Sequence, residues 1–144
     1  MATLFTRIIR GEIPAAFVWK DDLSVAFMSI NPLRPGHTLV VPHEEVDHWV
    51  DCPSSLRNHL LEVAGQIGRA QQQVFRPQRI GLVIAGLEVP HLHLHVVPID
   101  SAADLEFSRA APSVTAESLE ETAASIRQGL RSMDSSGVVE EAGS

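Results

Sequence analysis

Three histidines alternate with apolar residues in the stretch HLHLHVVP, which runs from His91 to Pro98. On a β-strand successive side chains point to opposite faces, so we predict that His91, His93 and His95 share one face. The leucine and valine side chains between them would then pack against a helix. Crowded imidazole rings resist protonation because each imidazolium repels the next. Neutral imidazole is both a nucleophile and a metal ligand, so the pattern points to chemistry.

Three interpretations fit this histidine face. The simplest is a polar strand face that is exposed to water. The second is a metal site, because two strand histidines two residues apart can reach one zinc ion and a third ligand can come from elsewhere. The third is nucleophilic or acid–base catalysis on a phosphoryl group. In that case the middle ring attacks phosphorus while its neighbours donate hydrogen bonds to phosphate oxygens.

Two neighbouring segments favour the phosphoryl chemistry. GHTLVVPH places another histidine, His37, at the start of a predicted strand and directly after a tight turn. AGLEVPH places Gly86 and several backbone N–H groups just before His91. The N–H groups of a turn can bind anionic oxygens where cationic side chains are lacking.

The elements that must position these histidines follow from the hydrophobic periodicity. LFTRIIR has apolar residues at helical spacing and predicts a short opening helix, which GEIP ends. We predict strands in AFVWK, SVAFMSI, HTLVVP, IGLVIAG and HLHLHVVPI, a long amphipathic helix in SSLRNHLLEVAGQIGRAQQQVF, and a last helix over residues 115–130. Hairpins with one long helical crossover indicate an α+β domain with a largely antiparallel sheet.

Length, charge and composition exclude several classes of protein. The 144 residues suit one domain, which we place at residues 1–131, followed by a flexible tail over residues 132–144. A formal net charge of −7 and a single lysine argue against a nucleic-acid surface. No apolar run is long enough to span a membrane, and the N-terminus lacks the apolar core of a signal peptide. With one cysteine, Cys52, no internal disulfide can form, so we expect a protein of the reducing cytoplasm. Because no apolar run could enter a bilayer, we also expect no membrane partner.

The order of these segments resembles the histidine triad (HIT) superfamily of nucleotide hydrolases and transferases. LFTRIIRGEIPA, DDLSVAFMSINPLRPGHTLVVP, the long helix and HLHLHVV follow the family's order and spacing over roughly residues 3–99. The chain is most similar to the Hint-like branch and less similar to the Fhit-like dinucleoside polyphosphate hydrolases. The resemblance implies a five-stranded, mainly antiparallel sheet, one long crossover helix, and short N-terminal and C-terminal helices. It also implies a homodimer formed through the long helix and an adjoining strand.

The resemblance also implies a mechanism. His93 would attack the α-phosphorus of a purine nucleotide phosphoramidate, adenylate or dinucleoside polyphosphate, and water would hydrolyse the nucleotidyl-histidine. A backbone carbonyl near His91 would hold the Nδ1 proton of His93, His95 would donate to a phosphate oxygen, and His91 and His37 would orient the nucleophile. No metal or cofactor is required. The residues implied around an AMP-like ligand are Leu4, Phe5, Ile8, Phe27, Ser29, Ile30, Asn31, Gly86, Glu88 and Val89. From the residues alone, ordinary core packing explains the phenylalanines and Ile8 better.

This chain lacks the zinc-binding residues that many bacterial relatives carry. Thr3 and Thr6 stand at the two cysteine positions of a Cys-x-x-Cys motif in the opening helix, and Glu45 stands at the matching histidine position. A hydroxyl is a much poorer zinc ligand than a thiolate. We therefore expect no structural zinc ion of that type, and the metal interpretation of the triad loses most of its support.

Two further departures affect the nucleotide site. Ser29 replaces the carboxylate that usually grips the ribose hydroxyls, and a hydroxyl makes weaker hydrogen bonds than an ionised acid. Leu87 and Glu88 replace polar residues that usually precede the triad. These changes keep an alternative open, in which the protein is a nucleotide-binding module with little catalytic activity.

Overall fold

The computed structural model describes residues 1–139, which form an open sheet with helices packed against it. The helices are α1 (Leu4–Ile9), α2 (Ser54–Phe75) and α3 (Ala116–Ser132), and the strands are β1 (Phe17–Lys20), β2 (Ser24–Met28), β3 (Thr38–Pro42), β4 (Arg79–Val83) and β5 (Leu94–Ile99). The five strands are antiparallel throughout, in the order β1-β2-β3-β5-β4. The predicted α+β class, with a five-stranded sheet and one long crossover helix, is confirmed.

The long helix α2 packs against the face of β5 that lies opposite the histidines. Its buried stripe, which includes Leu60 and Ile67, belongs to one core with Leu92, Leu94 and Val96. Fully burying each such side chain stabilises the fold by about 1.5–3 kcal/mol. The prediction that the leucines of the triad segment pack on a helix is therefore confirmed, and the histidines must face the other way.

The predicted strand over HLHLHVVPI begins too early. The ladder with β3 ends at the pair of Val40 with Leu94, so His91 and His93 precede β5. The backbone there is bonded to loops instead, because His91 N–H donates to the Val89 carbonyl and Leu92 N–H donates to the Val46 carbonyl. Loop contacts therefore hold the first two histidines, while the strand holds the third.

Residues 133–139, which fall within the predicted tail, lie against β1. Lys20 N–H donates to the Gly137 carbonyl at 2.8 Å, and Val139 is buried beside β1. Gly137 lies against the indole of Trp19, where no side chain would fit. Residues 140–144, the rest of the predicted flexible tail, lie outside the described residues. None of the helices within residues 1–139 is long and apolar enough to cross a membrane.

Candidate active site

A cavity of about 450 Å³ opens beside the histidines. Its walls come from α1, the end of β2, β3, the loop before the triad, and the segment that follows β5. The predicted site residues that line it are Leu4, Phe5, Ile8, Phe27, Ser29, Ile30, Asn31, His37, Glu88, Val89, His93 and His95. Two predicted residues are not among the lining residues: Gly86, and His91, which is completely buried behind His93.

The hydrogen bonds of His37 determine which nitrogen of His95 carries a proton. Gly36, with a φ of 95°, makes the turn that brings His37 beneath the triad. Leu33 N–H donates to His37 Nδ1 at 3.0 Å, so the proton of neutral His37 lies on Nε2. That nitrogen is 2.9 Å from His95 Nδ1 and donates to it. Neutral His95 therefore keeps its proton on Nε2, the donor it offers to the cavity.

The backbone of the triad determines the tautomer of His93 in the same way. His93 Nδ1 lies 2.7 Å from the His91 carbonyl oxygen, which can only accept. The proton of neutral His93 is therefore on Nδ1, and its Nε2 carries a lone pair. The ring of His91 is fixed at both ends, because Nε2 donates to the Pro42 carbonyl at 2.8 Å and Nδ1 accepts from the Thr3 hydroxyl at 2.6 Å.

Burial keeps all four rings neutral near pH 7. Burial, followed by the proximity of His95 and His93, lowers the pKa of His37 to about 3. Burial and the neighbouring His93 lower the pKa of His95 to about 4. Burial also lowers the pKa of His91 and of His93. Desolvation, more than the repulsion between rings that their spacing in the sequence suggests, is the cause of these low pKa values.

Aromatic residues of α1 and β2 form an apolar wall next to His93. The Phe5 ring lies edge-on to His93 at 4.9 Å between centroids, and edge-on to Phe27 at 5.7 Å. Phe5 is almost fully buried. The same side chain thus serves the core, as its residue type suggested, and lines the cavity, as the resemblance implied.

The predicted polar residues at the end of β2 bond to the protein itself. The Ser29 hydroxyl accepts from Asn31 N–H at 3.3 Å. The Asn31 amide donates to the carbonyls of Ala111 and Pro112, and Ala111 N–H donates back to the Pro32 carbonyl. Asn31 therefore anchors the segment that follows β5 at the mouth of the cavity.

That segment brings in the lining residues that the sequence argument missed. Phe107 packs edge-on against His95 with 4.9 Å between ring centroids, and Ala110, Ala111 and Pro112 complete the rim. Other missed lining residues are Ile13, Pro14, Ala15, Met28 and Leu39. No periodicity marks residues 102–112; the resemblance implies that the chain from about Ala102 onward reaches toward the site, and the structure adds which of its residues line the cavity.

The two departures ahead of the triad have different surroundings. Leu87 is 93% exposed and is not among the lining residues, whereas Glu88 lines the cavity and its charge acts on His93. No lysine or arginine lines this cavity within the part of the chain that the structure describes. Among residues 1–139, no group of three or more histidine, cysteine, aspartate or glutamate side chains is arranged to hold a metal ion.

This fold, with alternating histidines leading into β5 and a fourth histidine beneath them, defines a protein of the histidine triad class. A sequence profile of the HIT domain matches residues 10–102, and the chain belongs to the HIT family. It is 39% identical over 102 residues to an uncharacterised HIT-like protein of Synechocystis, covering 66% of this chain and 88% of that one. It is 33% identical over 103 residues to the purine nucleoside phosphoramidase of Escherichia coli, covering 66% and 85%.

The solved structures agree with this assignment. A zinc-bound histidine triad family protein of Mycobacterium smegmatis superposes with a TM-score of 0.80 at 28% identity. The superposition covers 94% of this chain and 97% of that one.

Proposed function

We propose that this protein is a nucleotide hydrolase or transferase that cleaves purine nucleotides at the α-phosphate through a nucleotidyl-His93 intermediate. One observation carries the proposal: the hydrogen bond from His93 Nδ1 to the His91 carbonyl leaves Nε2 unprotonated in a ring that lines the cavity. The similarity to a purine nucleoside phosphoramidase supports a purine nucleotide as the substrate.

In the first step the Nε2 lone pair of His93 forms a bond to the α-phosphorus. The bond from phosphorus to the leaving group breaks, and the leaving group departs with the electron pair and takes up a proton from solvent. His95 Nε2–H donates to a non-bridging oxygen as negative charge gathers there. Both rings must be neutral for this division of roles, and their lowered pKa values keep them so.

In the second step water attacks the same phosphorus from the side that the leaving group has vacated. The bond from phosphorus to Nε2 breaks, its electrons return to His93, and a proton of the water is released to solvent. The products are a nucleoside monophosphate and the regenerated neutral imidazole. Two displacements with a good leaving group replace one difficult displacement, which is the usual advantage of covalent catalysis.

The charges around the cavity favour a leaving group with no negative charge. No cationic side chain described here lines the cavity to neutralise additional phosphates, and Glu88 adds a negative charge beside His93. A polyphosphate chain would be repelled by this carboxylate, whereas an amine or an aminoacyl group with its ammonium would be attracted. We therefore favour phosphoramidates and aminoacyl-adenylates over dinucleoside polyphosphates.

Turnover of a substrate panel tests this proposal. Purified protein is given adenosine phosphoramidate, an aminoacyl-adenylate and a dinucleoside polyphosphate, and AMP release is followed. We expect His93→Ala to lower kcat about a thousandfold or more on every substrate that the wild type cleaves. The control is His48→Ala, which removes an exposed histidine that does not line the cavity. Equal turnover in both variants would show that His93 is not the nucleophile.

The specific alternative is a nucleotide-binding module. Ser29 and Asn31 bond to the chain's own backbone, which leaves few polar groups for the ribose. Calorimetric titration with AMP, run beside the turnover panel, separates the two. Tight AMP binding without turnover of any of the three substrates would favour the module.

We propose that the protein forms a homodimer through α2 and β4. The strand β4 is at the end of the sheet, so its outer edge is unpaired within the described chain. Leu61 on α2 and Leu82 on β4 are 55% and 44% exposed, so both elements present an apolar side chain that a second copy could cover. Sedimentation of the wild type and of Leu61→Glu tests this, since the charged side chain should shift the protein to monomer.

We keep the cytoplasm as the proposed compartment. Cys52 is a buried free thiol, and burial raises the pKa of its thiol group. Such a cysteine suits a reducing environment. Fractionation of the native cells would test this assignment.

A further inference from the structure

A cluster of polar side chains lies outside the cavity and ends on His91. Thr3 is the N-cap of α1, and its hydroxyl is 2.6 Å from His91 Nδ1 and 3.2 Å from the Thr6 hydroxyl. The Thr6 hydroxyl donates to Glu45 Oε1 at 2.6 Å, and Thr3 N–H donates to the same oxygen at 3.0 Å. Hydrogen bonds, the one from Thr6 first, lower the pKa of Glu45, so its carboxylate remains an acceptor at neutral pH. We call these four residues, Thr3, Thr6, Glu45 and His91, the relay.

The relay occupies the positions where a structural zinc ion is expected from the family, and it does not fit one. Zinc in proteins is held by thiolates, imidazoles and carboxylates. Thr3 and Thr6 offer only neutral hydroxyls, and both hydroxyl protons are already donated, to His91 and to Glu45. The Nδ1 lone pair of His91 is taken by Thr3. Hydrogen bonds thus replace a metal in joining α1 to the triad.

The direction of every proton in the relay follows from its ends. The Pro42 carbonyl requires a proton on His91 Nε2, so Nδ1 must accept from Thr3. The hydroxyl of Thr3 has then given its one proton, and it accepts in turn from Thr6 N–H at 3.1 Å. The hydroxyl of Thr6 is left to donate to Glu45. Only one arrangement of protons satisfies all of these groups.

We propose that Thr3, Thr6 and Glu45 are positioning residues for the nucleophile, although none of them lines the cavity. They act through His91, whose ring they fix and whose carbonyl oxygen holds the Nδ1 proton of His93. Without its Thr3 partner the ring of His91 keeps only the bond to the Pro42 carbonyl, and a shift of the residue about that bond would displace its own carbonyl oxygen from His93 Nδ1. The carbonyl would no longer select the His93 tautomer that leaves Nε2 free. The effect on turnover rests on the proposed function, whereas the effect on the tautomer does not.

The first test compares Thr3→Val with Thr3→Ser. Valine keeps the shape of threonine and removes the hydroxyl, which leaves the buried His91 Nδ1 without its donor, while serine restores the donor. With adenosine phosphoramidate we expect Thr3→Val to lower kcat about tenfold with KM within about twofold, and Thr3→Ser to recover most of the loss. Nitrogen-15 NMR of His93 supplies a readout that a purely structural cap would not change. In Thr3→Val the Nδ1–H tautomer should lose population to the Nε2–H tautomer.

The possible results distinguish failure of the relay proposal from failure of the proposed function. A wild-type kcat and a wild-type His93 spectrum in folded Thr3→Val would overturn the proposal. If wild-type protein cleaves no substrate, the proposed function fails, and the NMR comparison still decides the relay. If Thr3→Val does not fold, Glu45→Ala and Glu45→Gln replace it, since Glu45 is exposed and glutamine keeps an acceptor oxygen. We then expect Glu45→Ala to lower kcat about threefold relative to wild type, and Glu45→Gln to leave it close to the wild-type value. Equal kcat values in the two variants would overturn the proposal.

Zinc provides an independent test. Purified wild type is dialysed against chelator and then titrated with zinc while the melting temperature and bound metal are measured. The relay predicts no stoichiometric binding at this cluster and no gain in melting temperature. Stoichiometric zinc that is lost in Glu45→Ala would show that the cluster is a metal site after all.

Discussion

Replacing His37 with glutamine should make the stability of the protein less dependent on pH. His37 is almost completely buried, and burial lowers its pKa to about 3 from an ordinary value of 6.5. As pH falls from 7 to 5, the unfolded chain binds a proton at this histidine while the folded chain does not. The free energy of unfolding of the wild type therefore falls by about 2 kcal/mol from this residue alone, and the loss continues until the pH approaches the folded pKa.

The variant His37→Gln removes this contribution and keeps a donor toward His95. Its free energy of unfolding should consequently fall by about 2 kcal/mol less than that of the wild type between pH 7 and pH 5. Urea unfolding followed by the fluorescence of the buried Trp19 gives both values. Protein concentration is held constant, because a dimer's stability depends on it.

His48→Gln is the matched control, since it removes a histidine from an exposed position. An equal loss of stability in His37→Gln and the wild type over this pH range would refute the neutral state of the buried His37 ring. Direct titration of the His37 resonance near 6.5 would refute it equally. Either result would mean that the ring takes up a proton in the folded protein, so that its Nδ1 no longer accepts from Leu33 N–H as the hydrogen bonds indicate.

Three further predictions concern substrate selection and the pH profile. Phe107→Ala exposes His95 to water, so the pKa of His95 should rise from about 4 and the acid limb of kcat should move to higher pH. An acid limb that does not move would contradict this. Asn31→Ala releases residues 111–112, and KM should rise about threefold to tenfold with little change in kcat, measured by initial rates. A lower kcat with an unchanged KM would show that Asn31 does not act by holding this segment for substrate binding. Glu88→Gln should raise kcat/KM for a dinucleoside polyphosphate relative to adenosine phosphoramidate, and an unchanged ratio would argue against charge selection.

The sequence predicted the elements that hydrophobic periodicity controls. The stripe of α2 and the alternation around Leu92 and Leu94 both report burial, and burial determines which face of the triad segment meets the core. The turn glycine Gly36 was equally visible, because a left-handed backbone before a strand favours that residue type. Local signals placed His37 directly after a turn, and the resemblance to the histidine triad family, not periodicity, grouped it with His93 and His95.

Other features depend on contacts that periodicity does not encode. The start of β5 is set by loop hydrogen bonds to Val46 and Val89, and the order of residues 133–139 is set by packing against Trp19. The approach of Phe107 to His95 depends on the path of a segment with no regular pattern. The relay was equally hidden. The sequence marks Thr3, Thr6 and Glu45 only as departures from a zinc-binding motif, and only the structure shows that they bond to one another.

The proposed mechanism requires that His93 is the nucleophile that becomes covalently bound to the nucleotide. Wild-type protein is mixed with adenosine phosphoramidate, quenched within one turnover in alkaline denaturant, digested and analysed by mass spectrometry. We predict one adenylyl group on the peptide that contains His93, and no adduct in His93→Ala. Turnover without any adduct in the wild type, or an adduct on another residue, would contradict the central claim.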